Sequence, residues 1–278
     1  MNTNNDDFAP YSVLMSVYYK EKPDNLQEAM ESIWRQTVAP SEFILVCDGP
    51  LTEGLDSVIS KMEENRLELR VIRLAKNRGL GNALNVGIGY CTNELVARMD
   101  SDDISRADRC ERQLKAFQNH PDISIISGTI EEFSTSKDEV EARRILPENT
   151  EEISEFAKKR NPFNHPCVMY KKSAVEAAGG YQDFYLLEDY YLWIRMLRNG
   201  SKGYNIQEPV LWMRAGSDLY KRRSGWKYAM SQRKLFQYMR KQRFIGPWRY
   251  CASVLERIVV SMIPLKMRKL IYGRIARN

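Results

Sequence analysis

The residues with the clearest chemical potential in this chain are three carboxylates that follow a short apolar run. Residues 94–99 read Glu-Leu-Val-Ala-Arg-Met, and Asp100, Asp102 and Asp103 come directly afterwards. Successive side chains of an extended backbone point to opposite faces, so Asp100 and Asp102 share one face. Two carboxylates on one face repel each other unless a cation lies between them, and Mg²⁺ and Mn²⁺ prefer such hard oxygen ligands. The pattern predicts a divalent cation and a phosphorylated substrate at the end of a strand.

A solvated turn is the plainer interpretation of the same carboxylates. Asp and Ser dominate turns and helix N-caps, and we expect a helix that begins near Ser105 and carries Arg106, Arg109 and Arg112. Residue types alone leave both interpretations open. The elements that surround the carboxylates therefore have to decide between them.

Apolar runs alternate with amphipathic segments along the first hundred residues. This alternation predicts strand–helix–strand units, which build a right-handed parallel sheet covered by helices. Ligands of such sheets bind at the carboxyl ends of the strands. The fold class is therefore α/β, with a mostly parallel sheet and flanking helices. We predict strands over residues 11–19, 43–49, 69–74 and 94–100, and helices over residues 25–36, 55–66 and 81–90.

Two further loops fall on the same edge of the predicted sheet. Asp48 follows the second strand, and Lys76 and Arg78 follow the third. Gly79 and Gly81 permit a tight turn into a helix N-terminus, which together with the two bases makes a seat for phosphate. The segment is no dinucleotide fingerprint, because leucine occupies its third glycine position.

The second half of the chain offers three more candidate features. A strand over residues 123–133 and a polar stretch with a helix near 151–159 precede His165, which stands between turn residues and an apolar strand. A lone histidine is usually structural, yet exposure in a cleft would make it functional. Glu188 and Asp189 open a predicted helix, where neighbouring residues do not share a face. Either one acid points inward, or both merely favour the helix dipole.

Composition narrows the class of protein. The 278 residues carry a net charge of +6, but residues 221–278 hold 16 Lys and Arg against the single acid Glu256, whereas residues 1–220 hold 26 bases and 35 acids. An acidic body with a basic tail is no uniformly basic nucleic-acid binder, and its tail suits an anionic surface. Five scattered cysteines and two histidines favour neither a disulfide scaffold nor structural zinc. Residues 1–10 lack a signal-peptide pattern, so we expect the reducing cytoplasm.

The basic tail interleaves aromatic, aliphatic and basic residues over 244–272. Its longest uncharged run is the eight residues 258–265, which include Pro264, whereas a membrane-spanning helix needs about 20 apolar residues. We therefore expect basic amphipathic helices that lie on the inner face of the cell membrane. The alternative is that these helices pack on the catalytic domain or on a second subunit.

The order of these motifs resembles that of family-2 glycosyltransferases with the type A nucleotide-sugar fold, of the kind that build bacterial capsule, exopolysaccharide or O-antigen. The resemblance covers residues 11–215. One residue pattern departs from it, because the first strand ends in Tyr-Tyr-Lys where the family usually has Tyr-Asn. The matching segments are Val17-Tyr18-Tyr19, Asp48, Asn77-Arg78-Gly79-Leu80-Gly81 with Asn85, Asp100-Ser101-Asp102, Gly179-Gly180-Tyr181 and Glu188-Asp189.

The resemblance implies an inverting transfer from a nucleoside-diphosphate sugar, with UDP as the expected nucleotide, to a hydroxyl of a glycan or lipid-linked glycan. It implies Asp189 as the catalytic base beside Glu188, and Mn²⁺ or Mg²⁺ bound by Asp100, Asp102 and His165. A homodimer is a further expected partner, and nucleic acid is not. The implied donor-binding residues are Val17, Tyr18, Tyr19, Asp48, Lys76, Asn77, Arg78, Gly81, Asp100 and Ser101.

The expected domains are a catalytic domain over residues 1–220, with a nucleotide half at 11–103 and an acceptor half at 104–220, and the tail at 221–278. Two other functions remain open at this point. A sugar nucleotidyltransferase would carry a glycine-rich basic loop after the first strand, but residues 18–23 contain no glycine. A non-catalytic nucleotide-binding module would need the acids only as solvated turns.

Overall fold

The computed structural model describes residues 8–215 and 225–262, with side chains as far as residue 257. The first hundred residues form the predicted alternation of strands and helices. Each strand runs close to its predicted bounds, because an apolar run ends in polar residues at each strand end. The elements are β1 Tyr11–Val17, α1 Pro23–Trp34, β2 Glu42–Cys47, α2 Glu53–Asn65, β3 Leu69–Arg73, α3 Leu80–Tyr90 and β4 Leu95–Asp100.

These four strands form the predicted parallel sheet in the order β3-β2-β1-β4. In the register of β1, Val17 lies beside Cys47 of β2, and Ser16 lies beside Asp100 of β4. The carboxyl ends of the three strands therefore meet at one edge. The loops after them, which carry most of the candidate residues, are brought together by this register alone.

Both faces of the sheet are covered. On one face Val13 and Met15 pack with α1, α2 and the helix Arg109–Asn119, and on the other Leu14 packs with α3 and the helix Glu188–Arg198. Burial on both sides explains why these strands read as continuous apolar runs instead of alternating. Each fully buried aliphatic side chain contributes roughly 1.5–3 kcal/mol, so the strand ends are anchored in a large core.

The second half of the chain extends the same sheet. Strand β8 pairs antiparallel with β4, and β6 joins β8 to the long β9. The order becomes β3-β2-β1-β4-β8-β6-β9-β5, with β7 beside β6. The elements are β5 Ile104–Ser105, α4 Arg109–Asn119, β6 Ile123–Phe133, β7 Ala142–Arg144, α5 Thr150–Ala157, β8 Met169–Lys171, α6 Lys172–Ala177, α7 Glu188–Arg198 and β9 Lys202–Arg214.

The prediction of a helix from about Ser105 is wrong. Ile104 and Ser105 form the short strand β5, which pairs antiparallel with Trp212 and Leu211 of β9, and the helix begins four residues later at Arg109. Pairing with a strand more than a hundred residues away overrides the local helical pattern. The Asp turn is therefore held between two strands instead of capping a helix.

Two helices from the basic tail are described, α8 Gly225–Lys241 and α9 Pro247–Met262. Leu235, Phe236 and Met239 of α8 form one buried cluster with Tyr190 and Ile194 of α7. Part of the apolar surface of the tail is thus covered by Tyr190 and Ile194. The domain boundary at residue 220 stays a prediction. Among the helices described here, none is long and apolar enough to span a bilayer.

Candidate active site

The three carboxylates that follow β4 converge. Asp100, Asp102 and Asp103 each present a carboxylate oxygen, and these oxygens lie within 4.8 Å of one another. Asp103, which the sequence argument did not count among the ligands, is drawn in because its Oδ1 accepts the backbone N–H of Arg214 at 2.8 Å. Arg214 also donates from Nε to the carbonyl of Asp102 at 3.0 Å. The last residue of β9 therefore closes the turn into a compact cluster.

The electrostatics of this carboxylate cluster favour a bound cation. Burial, followed by the charges of Asp100 and Glu21, raises the pKa of Asp102 to about 7. Burial and the two neighbouring aspartates also raise the pKa of Asp103 well above its usual range. A divalent cation removes this repulsion, and an all-oxygen donor set suits Mg²⁺ or Mn²⁺. The residues present therefore fit the predicted metal.

The loop before α3 is tied to the end of β2 by Asp48. Its Oδ1 accepts the backbone N–H of Arg78 at 2.7 Å, and its Oδ2 accepts that of Gly79 at 2.9 Å. Its carbonyl accepts from the side chain of Asn77 at 3.1 Å, and its own N–H donates to the carbonyl of Val17 at 2.8 Å. Asp48 thus positions the phosphate-seat loop, and its predicted contact with a nucleotide base stays a prediction.

The side chains of Lys76 and Arg78 are exposed, and none of the described residues forms an ion pair with them. They flank the N-terminus of α3, whose first residues carry no side-chain cap. Such a terminus presents backbone N–H groups and a positive dipole end. The expected phosphate seat is therefore open to a ligand at the same edge as the carboxylate cluster.

The loop after β1 lies beside the Asp turn. Tyr18 and Tyr19 stack edge to face with ring centres 5.8 Å apart, and Tyr19 is 50% exposed while Val17 is buried. The hydroxyl of Ser101 donates to the carboxylate of Glu21 at 3.1 Å. The first-strand loop is thereby bonded to the Asp turn, through a glutamate that the sequence argument did not single out.

The glycine pair Gly179-Gly180 lets the segment before α7 approach α3 closely. Gly180 has a φ of +65°, and a Cβ there would lie 2.2 Å from Oδ1 of Asn85 on α3. The guanidinium of Arg195 on α7 donates to the carbonyl of Gly180 at 2.7 Å and to that of Ala178 at 2.5 Å. The Gly179-Gly180 segment is therefore packed against α3.

Glu188 and Asp189 point to different surroundings, as adjacent helical residues should. Glu188 lies against the phosphate seat, since a Cβ built on Gly81 would be 3.2 Å from the Cβ of Glu188. Asp189 accepts from Nδ2 of Asn161 at 2.6 Å and from the N–H of Tyr190 at 2.7 Å. Burial and the charge of Asp189 raise the pKa of Glu188 to about 7. Glu188 thus lies beside the start of α3, whereas Asp189 is held against Asn161.

A cleft of about 190 Å³ separates the start of α3 from the loop before α7. It is lined by residues 78–82, residues 183–186 and Glu188. The phosphate seat and one of the two candidate catalytic acids therefore face each other across a single opening. This juxtaposition suits a reaction between a phosphorylated donor and a second substrate.

His165 lies in the interior. It is 9% exposed, its Nε2 is 2.9 Å from the hydroxyl of Tyr181, and burial, with a contribution from the charge of Arg98, lowers its pKa well below the usual value. The carboxylate cluster found among the described residues does not include it. Its role as a metal ligand stays a prediction, and its bond to Tyr181 favours a structural role.

One functional candidate missed in the sequence is Arg98. It is 1% exposed and forms an ion pair with Asp100. The sequence did contain a sign of this role. An arginine in an otherwise apolar strand, two residues before Asp100, has to share the face of that carboxylate.

Comparison with known proteins gives a consistent assignment. Residues 12–179 match Glycosyl transferase family 2. The chain is 39% identical over 273 residues to the UDP-Gal:alpha-D-GlcNAc-diphosphoundecaprenol beta-1,3-galactosyltransferase of Escherichia coli, covering 98% of each chain. It is 38% identical over 264 residues to the amylovoran biosynthesis glycosyltransferase AmsE of Erwinia amylovora, covering 95% of this chain and 98% of that relative.

Solved structures share the fold at low identity. A mannosyltransferase from Pyrobaculum calidifontis in complex with GDP-Man and Mn²⁺ superposes with a TM-score of 0.62 at 15% identity, over 98% of this chain and 81% of that one. TarS of S. aureus in complex with UDP-GlcNAc superposes with a TM-score of 0.64 at 17% identity, over 82% and 65% of the two chains. Both likenesses concern the fold.

Proposed function

Because this chain belongs to glycosyl transferase family 2 and is therefore a glycosyltransferase, we propose that it moves a sugar, with inversion, from a UDP-sugar to a hydroxyl of a lipid-linked glycan. The observation that carries the proposal is that Glu188 faces the phosphate seat across one cleft and lies close enough to Asp100 of the carboxylate cluster to feel its charge. The E. coli relative uses UDP-Gal and a GlcNAc-diphosphoundecaprenol acceptor, which supports this choice of substrates. Family membership sets aside the sugar nucleotidyltransferase and the non-catalytic binding module.

On the donor side, Asp100, Asp102 and Asp103 would hold Mn²⁺ or Mg²⁺. When bound, the cation neutralises negative charge that gathers on the leaving diphosphate, which lowers the barrier more than it stabilises the ground state. Lys76, Arg78 and the N-terminus of α3 would contact the phosphates. The aromatic loop of Tyr18 and Tyr19, with Asp48 behind it, would contact the nucleoside.

On the acceptor side, Asp189 would take the proton of the attacking hydroxyl. Its bond to Asn161 holds the carboxylate in one orientation, and a fixed carboxylate within reach of the hydroxyl is what a general base requires. Inversion places this base on the face of the sugar opposite the leaving diphosphate. Glu188 would lie between Asp189 and the phosphate seat.

The direct test is a transfer assay with the purified chain, Mn²⁺ and a short-chain GlcNAc-diphosphate-lipid acceptor. We expect transfer from UDP-galactose, with weaker or no transfer from GDP- and dTDP-sugars, and loss of transfer when EDTA removes the metal. The product linkage, read by NMR, should have the configuration opposite to that of the donor. Retention of configuration, or full activity in EDTA, would contradict the proposal.

We also propose that the tail docks the enzyme on the cytoplasmic face of an anionic membrane, where a lipid-linked acceptor resides. Trp226 is 71% exposed and lies on α8, which carries five Lys and Arg, and Trp248 is 87% exposed and lies on α9, which carries Arg249 and Arg257. Exposed indoles near Lys and Arg suit the headgroup region, where each base contributes about 1 kcal/mol. The bases of 263–278 lie outside the described residues.

Flotation with phosphatidylglycerol vesicles at low salt tests the docking. We expect the wild-type chain to float and a Trp226→Ser/Trp248→Ser variant to float several-fold less, because the indoles are exposed and their loss leaves the core intact. Leu67→Ser, which removes a fully exposed apolar side chain elsewhere, should float normally. Equal flotation of all three would remove the docking proposal, and a doubled mass in light scattering would favour a second subunit on this face.

A further inference from the structure

Arg98 is an unusual residue for the middle of a buried strand. Its side chain is 1% exposed, and it bonds Oδ1 of Asp100 from Nη2. Within the described part of the chain, its Nε and Nη1 have no hydrogen-bond partner. A guanidinium removed from water loses much solvation energy, and one ion pair alone seldom returns it. An apolar residue of similar volume would avoid this desolvation cost, so packing alone does not explain the charge.

The surroundings of Arg98 indicate what it serves. Its ion-pair partner is Asp100, and the carboxylate oxygens of Asp102 and Asp103 lie within 4.8 Å of that of Asp100. One enclosed positive charge therefore lies directly behind the cluster of three carboxylates.

We propose that Arg98 is a positioning residue of the metal centre, which orients the carboxylate of Asp100 and holds the acidic turn together before a cation arrives. The inference rests on the proposed function, because it assumes that the carboxylate cluster binds a divalent cation. Arg98 is too deeply buried to touch a substrate. Its effect has to pass through Asp100, whose side chain is 32% exposed and reaches the site.

The chain contains a matched control in Arg109 of α4. It is 0% exposed, but its guanidinium donates to the carbonyls of Arg98 and Val168 at 2.6 and 3.3 Å and to Oε1 of Gln113 at 3.2 Å. No ion pair joins it to a carboxylate of the described residues. Loss of Arg109 should therefore weaken the fold without acting on the metal centre.

The experiment is a titration of the full chain with Mn²⁺, followed by electron paramagnetic resonance, for wild type, Arg98→Met, Arg98→Lys and Arg109→Met. We expect Arg98→Met to weaken Mn²⁺ binding about 10- to 100-fold, as loss of a partner behind a metal ligand does. The affinity of Arg98→Lys for Mn²⁺ should lie between those of the wild type and Arg98→Met, since lysine keeps the charge but lacks the planar guanidinium. Folded Arg109→Met should bind Mn²⁺ like the wild type, although it melts earlier.

Wild-type affinity in folded Arg98→Met and Arg98→Lys would overturn the inference and leave the proposed function standing. Absence of Mn²⁺ binding by the wild type would instead overturn the metal role in the proposed function itself. If neither variant folds, the Nε–H resonance of Arg98 in the wild type decides the question. It should shift when Mg²⁺ is added, and an unchanged resonance at saturating Mg²⁺ would contradict the inference.

Discussion

The Asp102→Asn variant is expected to lose roughly 10³-fold in the kcat/KM of transfer at saturating Mn²⁺. Burial, followed by the charges of Asp100 and Glu21, raises the pKa of the Asp102 carboxyl to about 7, so a cation that neutralises the carboxylate relieves an unfavourable buried charge. An amide oxygen binds Mn²⁺ weakly and cannot neutralise it, which removes several kcal/mol of transition-state stabilisation. The measurement is initial-rate kinetics over a range of Mn²⁺ concentrations.

The same variant should be more stable than the wild type in the absence of metal. A carboxyl group whose pKa is higher in the folded than in the unfolded protein destabilises the folded state once the pH exceeds the unfolded-state pKa. This destabilisation reaches its full size above the folded-state pKa. The metal-free wild type should therefore lose stability as the pH rises from about 4 to about 7. A pKa raised from its usual value near 4 to about 7 corresponds to at most about 4 kcal/mol.

Asp108→Asn is the control for both measurements. Asp108 precedes α4, is 38% exposed and pairs with Arg112 outside the cluster. We expect its activity and its melting profile against pH to match those of the wild type within experimental error. Activity of Asp102→Asn within a few fold of the wild type would remove Asp102 from the metal ligands and leave Asp100 and Asp103 as the pair to test.

The Asp189→Asn variant should lose about 10²- to 10⁴-fold in kcat and keep its affinity for UDP within about threefold. A general base contributes a factor of this size, and an amide cannot take the proton of the acceptor hydroxyl. Asp189 is bonded to Asn161 and to its own helix, apart from the donor loops. Calorimetry with UDP and Mn²⁺ measures the binding, and single-turnover transfer measures the chemistry.

Glu188→Gln tests the competing assignment. Its pKa of about 7 would also suit a base near neutral pH, and activity would then fall below pH 7 as Glu188 takes up a proton. We expect this variant to be impaired more mildly than Asp189→Asn, because Glu188 lies against Gly81 at the phosphate seat. A larger loss in Glu188→Gln would move the role of base to Glu188. A weakened affinity of Asp189→Asn for UDP would show that Asp189 is misassigned.

The sequence by itself determined the parallel half of the sheet and the edge at which the site lies. Runs such as 43–47 are apolar on every residue, which only burial on both faces allows, and each run ends where polar residues need water. Strands of such units run parallel. Their carboxyl ends, with Asp48, Asp100 and the loop of Arg78, therefore had to meet at one edge.

Only the tertiary structure decided which of these groups touch. Ser105 became a strand residue because β9 supplies its backbone partners, and Asp103 joined the cluster because Arg214 bonds it. The carboxylate of Asp48 turned to two loop N–H groups, and Arg98 was buried beneath Asp100. Each of these contacts joins a residue to a partner, or to a burial depth, that local pattern does not encode. A strand period fixes the face of a side chain, whereas its partner across that face depends on how distant elements pack.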